Sequence, residues 1–250
     1  MSPEKTADQE NAGIRVNKYL ASQGICSRRE ADRLIAAGDV TIADQVAQPG
    51  SRVLPGQKVH VRGKAVQQDP DMIYIAMYKP IGVTCTTDLR RHDNIISYLG
   101  LKERVFPVGR LDRDSEGMIF LTNDGSIVNK ILKSGSRQEK EYRVTVDKPL
   151  TTAFLEKMAS GVPILNTITR PCQVKAESRT VFRIILTQGL NRQIRRMCEA
   201  CGYTVRHLTR LRVMHMTLAG LKPGQWRYFS EQEIEELHQL IKSKSSEEPL

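Results

Sequence analysis

Residues 108–125 read VGRLDRDSEGMIFLTNDG. Two arginines and two aspartates stand within Arg110–Asp114, and the apolar run Met118–Leu121 follows almost at once. A run of that length, entered through Gly117 and left through Asn123-Asp124-Gly125, predicts a strand buried on both faces. The charges before it therefore occupy a loop that feeds the core. Solubility alone explains such a loop if Asp112 pairs at the surface with Arg110 or Arg113. Catalysis explains it if Asp112 is aimed at a substrate and held there by a guanidinium from elsewhere in the chain.

Outward from this loop, MIYIAMYKP (Met72–Pro80), EYRVTV (Glu141–Val146) and TVFRIIL (Thr180–Leu186) read as further strands. Helices are predicted over Ser126–Lys133, Thr152–Ser160, Asn191–Cys201 and Glu231–Ile241, the last opened by a Ser230-x-x-Glu233 capping box. Strands and helices mix without regular βαβ alternation, and neither G-x-G-x-x-G nor a Walker sequence occurs. This predicts an α+β domain over residues 71–241 with a mixed or antiparallel sheet and no nucleotide cofactor.

The helix NRQIRRMCEAC carries the guanidiniums that the loop needs. At 100° per residue, Ile194, Met197, Cys198 and Cys201 share one side, while Arg192, Arg195, Arg196 and Glu199 share the other. Cys198-x-x-Cys201 suggests zinc or thiol chemistry at first sight, but no second Cys/His pair follows at suitable spacing, and His207 and His215 fall in an apparent strand. Core packing is the expected use of both thiols, and no metal site is expected. Three arginines on one stripe need an anion, either RNA phosphate or a protein carboxylate. Asp112 is one such carboxylate, and a guanidinium from this stripe would keep it ionised and aimed.

The front of the chain is a separate small module over residues 14–70, after a polar lead-in over 1–13. A short helix over Ile14–Gln23 ends at Gly24; a second opens with the Ser27-x-x-Glu30 capping box and stops at Gly38. Ala31, Leu34 and Ile35 form its apolar face, with Arg29 and Arg33 opposite and Arg28 on the flank. Val40–Ile42 and Val59–Val61 then read as strands. A solvated helix with ordinary arginines fits this pattern as well as an anion grip does.

Charge supports the second use. The net charge is +10 over 250 residues. It concentrates in two places: nine Lys/Arg against four Asp/Glu over 13–68, and six Arg against one Glu over 189–215. The end of the chain is acidic and is expected to be a flexible tail over 242–250. Nucleic acid, acidic small molecules or anionic membranes could all meet such patches. No stretch approaches the roughly 20 apolar residues of a membrane span, and Glu4, Asp8 and Glu10 do not suit a secretory leader. Five cysteines without regular spacing suit a reducing compartment, so a cytoplasmic protein is expected.

The front span resembles the S4 RNA-binding domain, with Arg15, Lys18, Leu20, Gly24, Ser27, Arg28, Ala31, Ile35, Gly38 and Val40 in family order and spacing. IADQ replaces the usual Val-Asn-Gly turn. The resemblance implies that Arg15, Lys18, Arg28, Arg29 and Arg33 bind RNA. Downstream, GRLDRDSEGMIFLTNDG, KEYRV (Lys140–Val144) and GLNRQIRRM (Gly189–Met197) resemble the three ordered motifs of the pseudouridine synthases, which isomerise uridine in RNA. Ser115 stands where many relatives have threonine. The S4 module in front narrows the resemblance to the bacterial branch acting on ribosomal RNA, and it covers about Ile14 to Ile241. It implies Asp112 as nucleophile or base, Tyr142 as the aromatic partner of the base, Arg195 as the basic residue of the site and Arg110 as an RNA contact. Arg195 is then the expected partner of Asp112, Arg192 and Arg196 are left for RNA or neighbouring structure, and Asp114 for solvent or for bracing the loop. No cofactor or metal is implied. The expected partners are large-subunit ribosomal RNA and a tRNA, acted on by a monomer. A sister enzyme for another uridine of either ribosomal subunit or of a tRNA is the first competing reading, followed by a non-catalytic S4 protein and a base-releasing glycosylase.

Overall fold

The computed structural model describes residues 13–66, 71–132, 138–218 and 220–243. Most of the polar lead-in and the end of the acidic tail lie outside them. The chain forms two compact units: residues up to Met72 with Lys102–Val105 and Asn123–Ser126, and Ile73–Leu101 with Phe106–Thr122 and the rest from Ile127.

The first unit contains β1 (Ile14–Arg15), α1 (Val16–Ser22), α2 (Arg28–Ala36), β2 (Val40–Ile42), β3 (Gln45–Val46), β4 (Arg52–Val53), β5 (Val59–Val61) and β6 (Lys64–Ala65). An antiparallel sheet of order β3-β2-β5-β6 buries Val40, Ile42 and Val59 against Val16, Leu20, Ala31 and Ile35. The first helix starts two residues later than the sequence suggests, because Ile14 and Arg15 pair as strand with Val53 and Arg52. Only half of the predicted capping box forms at α2. Ser27 Oγ accepts from Glu30 N at 3.1 Å, but the Glu30 carboxylate turns to Arg33 at 2.9 Å. Ala43 and Asp44 take the left-handed turn conformation where the family pattern has Asn-Gly. Arg15, Lys18, Arg28, Arg29 and Arg33 are all exposed.

The second unit is built on one nine-stranded sheet. Its strands are β7 (Tyr74–Lys79), β8 (Phe106–Pro107), β9 (Glu116–Thr122), β10 (Lys140–Val146), β13 (Gln173–Ser178), β14 (Val181–Leu186), β15 (Val205–Val213), β16 (Met216–Thr217) and β17 (Trp226–Tyr228), with a separate hairpin of β11 (Pro163–Ile164) and β12 (Thr167–Ile168). The order is β13-β14-β10-β15-β9-β7-β17, with β8 on β9 and β16 on β15. Every pairing is antiparallel except β15 with β9, which is parallel. The α+β class with a mixed sheet is thus as expected. Helices α3 (Ile95–Leu99), α4 (Gly125–Leu132), α5 (Thr152–Ser160), α6 (Gln193–Ala200) and α7 (Glu231–Ser243) complete it. Helices α5 and α6 pack on Val144, Phe182, Ile184 and Leu208, whereas α4 and α7 pack on Tyr74, Met118 and Phe120. Each fully buried aliphatic or aromatic side chain there contributes about 1.5–3 kcal/mol.

Three local expectations are corrected. Helix α6 begins at Gln193 rather than Asn191, because Arg192 adopts a left-handed conformation (φ 49°) that a helix cannot include. His215 lies in the turn between β15 and β16, not in a strand. Helix α7 continues through Lys242 to Ser243, so the tail cannot begin at 242.

Candidate active site

The loop 108–115 joins β8 to β9 and is fixed along its length. Val108 N donates to Phe120 O at 2.8 Å, and Leu111 N to Cys85 Sγ at 3.3 Å. Gly82 N donates to Arg113 O at 2.8 Å, while Arg113 Nε reaches Gly82 O at 3.2 Å and Asp93 Oδ2 at 3.1 Å. Ser115 N closes a turn on Asp112 O at 3.1 Å. Below this, Lys79 is fully buried and donates to Pro80 O and Val83 O, both at 2.8 Å, which folds the strand exit back under the loop. Burial lowers the Lys79 pKa.

Helix α6 supplies the guanidiniums, but not in the predicted arrangement. Arg192 forms a two-pronged bond with Asp114, Nη1 to Oδ1 and Nη2 to Oδ2, each at 3.1 Å. Its Nη1 is also 3.5 Å from Asp112 Oδ2. Arg195 Nη2 donates to Asp114 O at 2.9 Å and to Ser115 Oγ at 3.1 Å, and its buried Nε has no hydrogen-bond acceptor, lying 3.9 Å from Asp112 Oδ2. The expected Arg195–Asp112 pair therefore exists only as a long contact, and Arg192 stands nearer to that carboxylate than Arg195 does. Of the two uses expected for Asp114, solvent contact or bracing of the loop, the structure shows the second: it anchors the loop to α6. Burial pushes the Asp114 carboxyl up, but the Arg192 bonds and the Arg195 charge outweigh it and hold it below the usual range. Arg196 turns back to Asn191, with Nε 3.1 Å from its carbonyl oxygen and Nη2 3.3 Å from Oδ1. Neither of the alternative surface partners of Asp112 is used: Arg113 serves Gly82 and Asp93, and Arg110 is exposed.

What remains is a carboxylate held in place by its backbone. The described residues give the Asp112 side chain no hydrogen bond, only the two long approaches at 3.5 and 3.9 Å. It lines a cleft enclosing about 80 Å³ together with Arg110, Ser115, Tyr142, Arg192 and Leu208. Asp112 is the only acidic side chain on that wall among the described residues. Tyr142 comes from β10 and is half-buried; Leu208 comes from β15 and Leu186 closes the far side from β14. Cys198 is buried in the core and burial pushes its thiol up to about 12, so it is a packing residue and not a thiolate ligand. No group of His, Cys, Asp and Glu suited to a metal occurs among the described residues.

Sequence patterning pointed to neither Arg210 nor Lys79. Their burial, 3% and 0% exposed, is the observation that marks them. In sequence, the only available signal was a charged residue within an apolar strand.

A mixed sheet that brings one carboxylate, one tyrosine and a basic helix to a single cleft fits the class of enzymes that act on an anionic substrate. The chain belongs to the RNA pseudouridylate synthase family. The model of that family matches residues 73–200, and the S4 domain model matches 14–59. The chain is 50% identical over 239 residues to the dual-specificity RNA pseudouridine synthase RluF of Escherichia coli K12, covering 95% of this chain and 82% of the relative. It is 30% identical to the ribosomal large subunit pseudouridine synthase B of Bacillus subtilis, covering 90% and 96% of the two chains. A crystal structure of a pseudouridylate synthase superposes with a TM-score of 0.66 at 23% identity, over 90% of this chain and all of that one. The protein is a pseudouridine synthase.

Proposed function

We propose that this enzyme isomerises a uridine of large-subunit ribosomal RNA, and a tRNA uridine as a second substrate, through Asp112. The single observation that carries the site assignment is the cleft in which Asp112 is the only acidic wall residue among the described residues, sharing that wall with Tyr142 and Arg192. Pseudouridine formation breaks the bond between ribose C1′ and uracil N1, turns the base, and rejoins it through C5. One ionised carboxylate near C1′ suffices, as nucleophile or as base for a ribose proton. Uracil carries the departing charge on its carbonyls, so a second acid of the glycosidase kind is unnecessary. A cleft lined by Leu186, Leu190, Ile194 and Leu208 limits water, which would otherwise hydrolyse the sugar intermediate.

The target base must leave its stack to enter the cleft. Tyr142 stacks on it or assists proton removal, and Arg110, exposed at the rim, holds the opened RNA. Arg195 keeps the loop in place, and Arg192 and Arg196 lie where phosphates approach. Arg15, Lys18, Arg28, Arg29 and Arg33 of the front module grip RNA phosphates and supply salt-dependent affinity. Residues 14–70 and 71–241 are proposed as the working domains, in a monomer acting in the bacterial cytoplasm. Among the described residues no helix is long and apolar enough to cross a membrane.

The experiment is pseudouridine mapping of total RNA from cells with and without the protein, with re-expression of the Asp112→Asn variant. Loss of one large-subunit site and one tRNA site, restored by the wild type and not by Asp112→Asn, is the expected result. Release of free uracil in vitro would favour a glycosylase instead.

A further inference from the structure

At the centre of the sheet stands a buried cation with no carboxylate. Arg210 on β15 is 3% exposed, and no ion pair involving it occurs among the described residues. Its backbone lies between Tyr142 of β10 and Gly117 of β9. Its Nε donates to Met118 O at 2.6 Å and its Nη1 to Arg110 O at 3.4 Å; Nη2 is buried without a hydrogen-bond partner. Burying a guanidinium is expensive, and two carbonyl bonds with an unused N–H offset that cost incompletely. A residue serving only the fold would be better replaced by an apolar one of similar volume.

The contacts show what the cation does. Met118 O belongs to the strand that follows the catalytic loop, and Arg110 O lies two residues before Asp112 in the loop itself. One rigid fork, carried by the residue that pairs with Tyr142 in the sheet, therefore spans both ends of the segment that carries Asp112. The backbones make this reach possible: a Cβ on Gly117 (φ 113°) would stand 2.2 Å from Arg210 O and 2.5 Å from its N, so only glycine lets β15 come this close. On the other side of Arg110, Gly109 takes the left-handed conformation (φ 78°) where the chain enters the loop.

We propose that Arg210 is a positioning residue for the isomerisation: its guanidinium sets the height of the Arg110–Asp112 segment over Tyr142, and so the approach of the carboxylate to ribose C1′. The proposal rests on Asp112 being the reacting group. Lysine cannot replace the fork, since its single ammonium lacks the planar set of donors that meets two separate carbonyls.

The test uses the full-length protein as Arg210→Lys and Arg210→Ala, with Asp112→Asn as a control. Each is measured for single-turnover pseudouridine formation at saturating RNA, for RNA affinity and for thermal unfolding. A misplacement of about 1 Å at a reacting group lowers the rate by roughly 100-fold, and a loss of that order is expected for Arg210→Lys, with RNA affinity within about twofold and a cooperative unfolding transition retained. Guanidinium ion at low millimolar concentration, but not sodium at equal ionic strength, should restore part of the turnover of Arg210→Ala. A folded Arg210→Lys with turnover within a few-fold of wild type would overturn the proposal. So would loss of cooperative unfolding in both variants, which would make the residue a core support. Retained turnover in Asp112→Asn would sink the underlying site assignment instead, whatever the Arg210 variants do.

Discussion

Asp112 differs from its neighbours in that no hydrogen bond reaches its side chain among the described residues. Asp114 accepts two bonds from Arg192, Asp93 takes Arg91 and Arg113, and Asp112 keeps only contacts of 3.5 and 3.9 Å. Asp112→Asn should therefore abolish turnover while leaving RNA affinity and melting temperature nearly unchanged, since no bond is lost. Arg195→Ala should act differently. It removes donors to Asp114 O and Ser115 Oγ, the latter on a fully buried serine. Leaving such acceptors unmade costs about 1–3 kcal/mol, so a denaturant midpoint should fall along with turnover. If only turnover falls, Arg195 acts on the substrate and not on the loop. The position of Asp112, in a loop that feeds a buried strand, was legible from sequence because a charged loop running into an apolar strand is a local pattern. The Arg192–Asp114 clamp was not, because its partners are 78 positions apart and nothing in either segment announces the other. Helical-wheel reasoning chose the right helix face; Arg195 lies 3.9 Å from Asp112, and Arg192 comes nearer, at 3.5 Å, because the left-handed turn at Arg192 lies ahead of the regular helix and redirects that side chain.

Among the elements, α7 shows a predicted motif completed in full. Glu233 N donates to Ser230 Oγ at 3.3 Å and Ser230 N to Glu233 Oε2 at 2.9 Å. Arg227 on β17 adds two bonds of 2.7 Å to the same carboxylate. These bonds lower the Glu233 pKa from 4.5 to about 2. A depressed acid stabilises the folded state fully above its ordinary value and loses that contribution as pH falls towards the folded value. Wild type should therefore exceed Glu233→Gln in stability by about 1 kcal/mol near neutrality, and the gap should close between pH 4.5 and about 2. A gap that stays constant with pH would show that the carboxylate charge is not the source. The outer strand β13, QVKAES, escaped sequence reading for a physical reason. It is an edge strand with most residues exposed, so it has neither an apolar run nor clean alternation. The strands buried on both faces, β7 and β9, were legible because their apolar runs are continuous.

For the whole molecule, the front module can be tested without disturbing the chemistry, because no cleft-lining residue lies within it. Each phosphate contact adds about 0.7 to the log–log salt slope on single strands and about 0.9 on duplex DNA. Replacing Arg28, Arg29 and Arg33 together by alanine should flatten the slope by roughly two units while a short hairpin at saturating concentration is still converted. An unchanged slope would remove those arginines from the RNA grip. The parallel pairing of β15 with β9 also dictates when the enzyme can come into being. Residues 205–213 insert between a strand made of residues 116–122 and one made of 140–146, so the middle of the sheet is synthesised after both of its flanks. A nascent chain that has reached Tyr203 holds Asp112, Tyr142 and Arg195 and still lacks the strand that seats them. Such a chain, released early, should show no cooperative unfolding of the second unit and no turnover, and the enzyme becomes competent to modify RNA only once residues 205–213 have emerged.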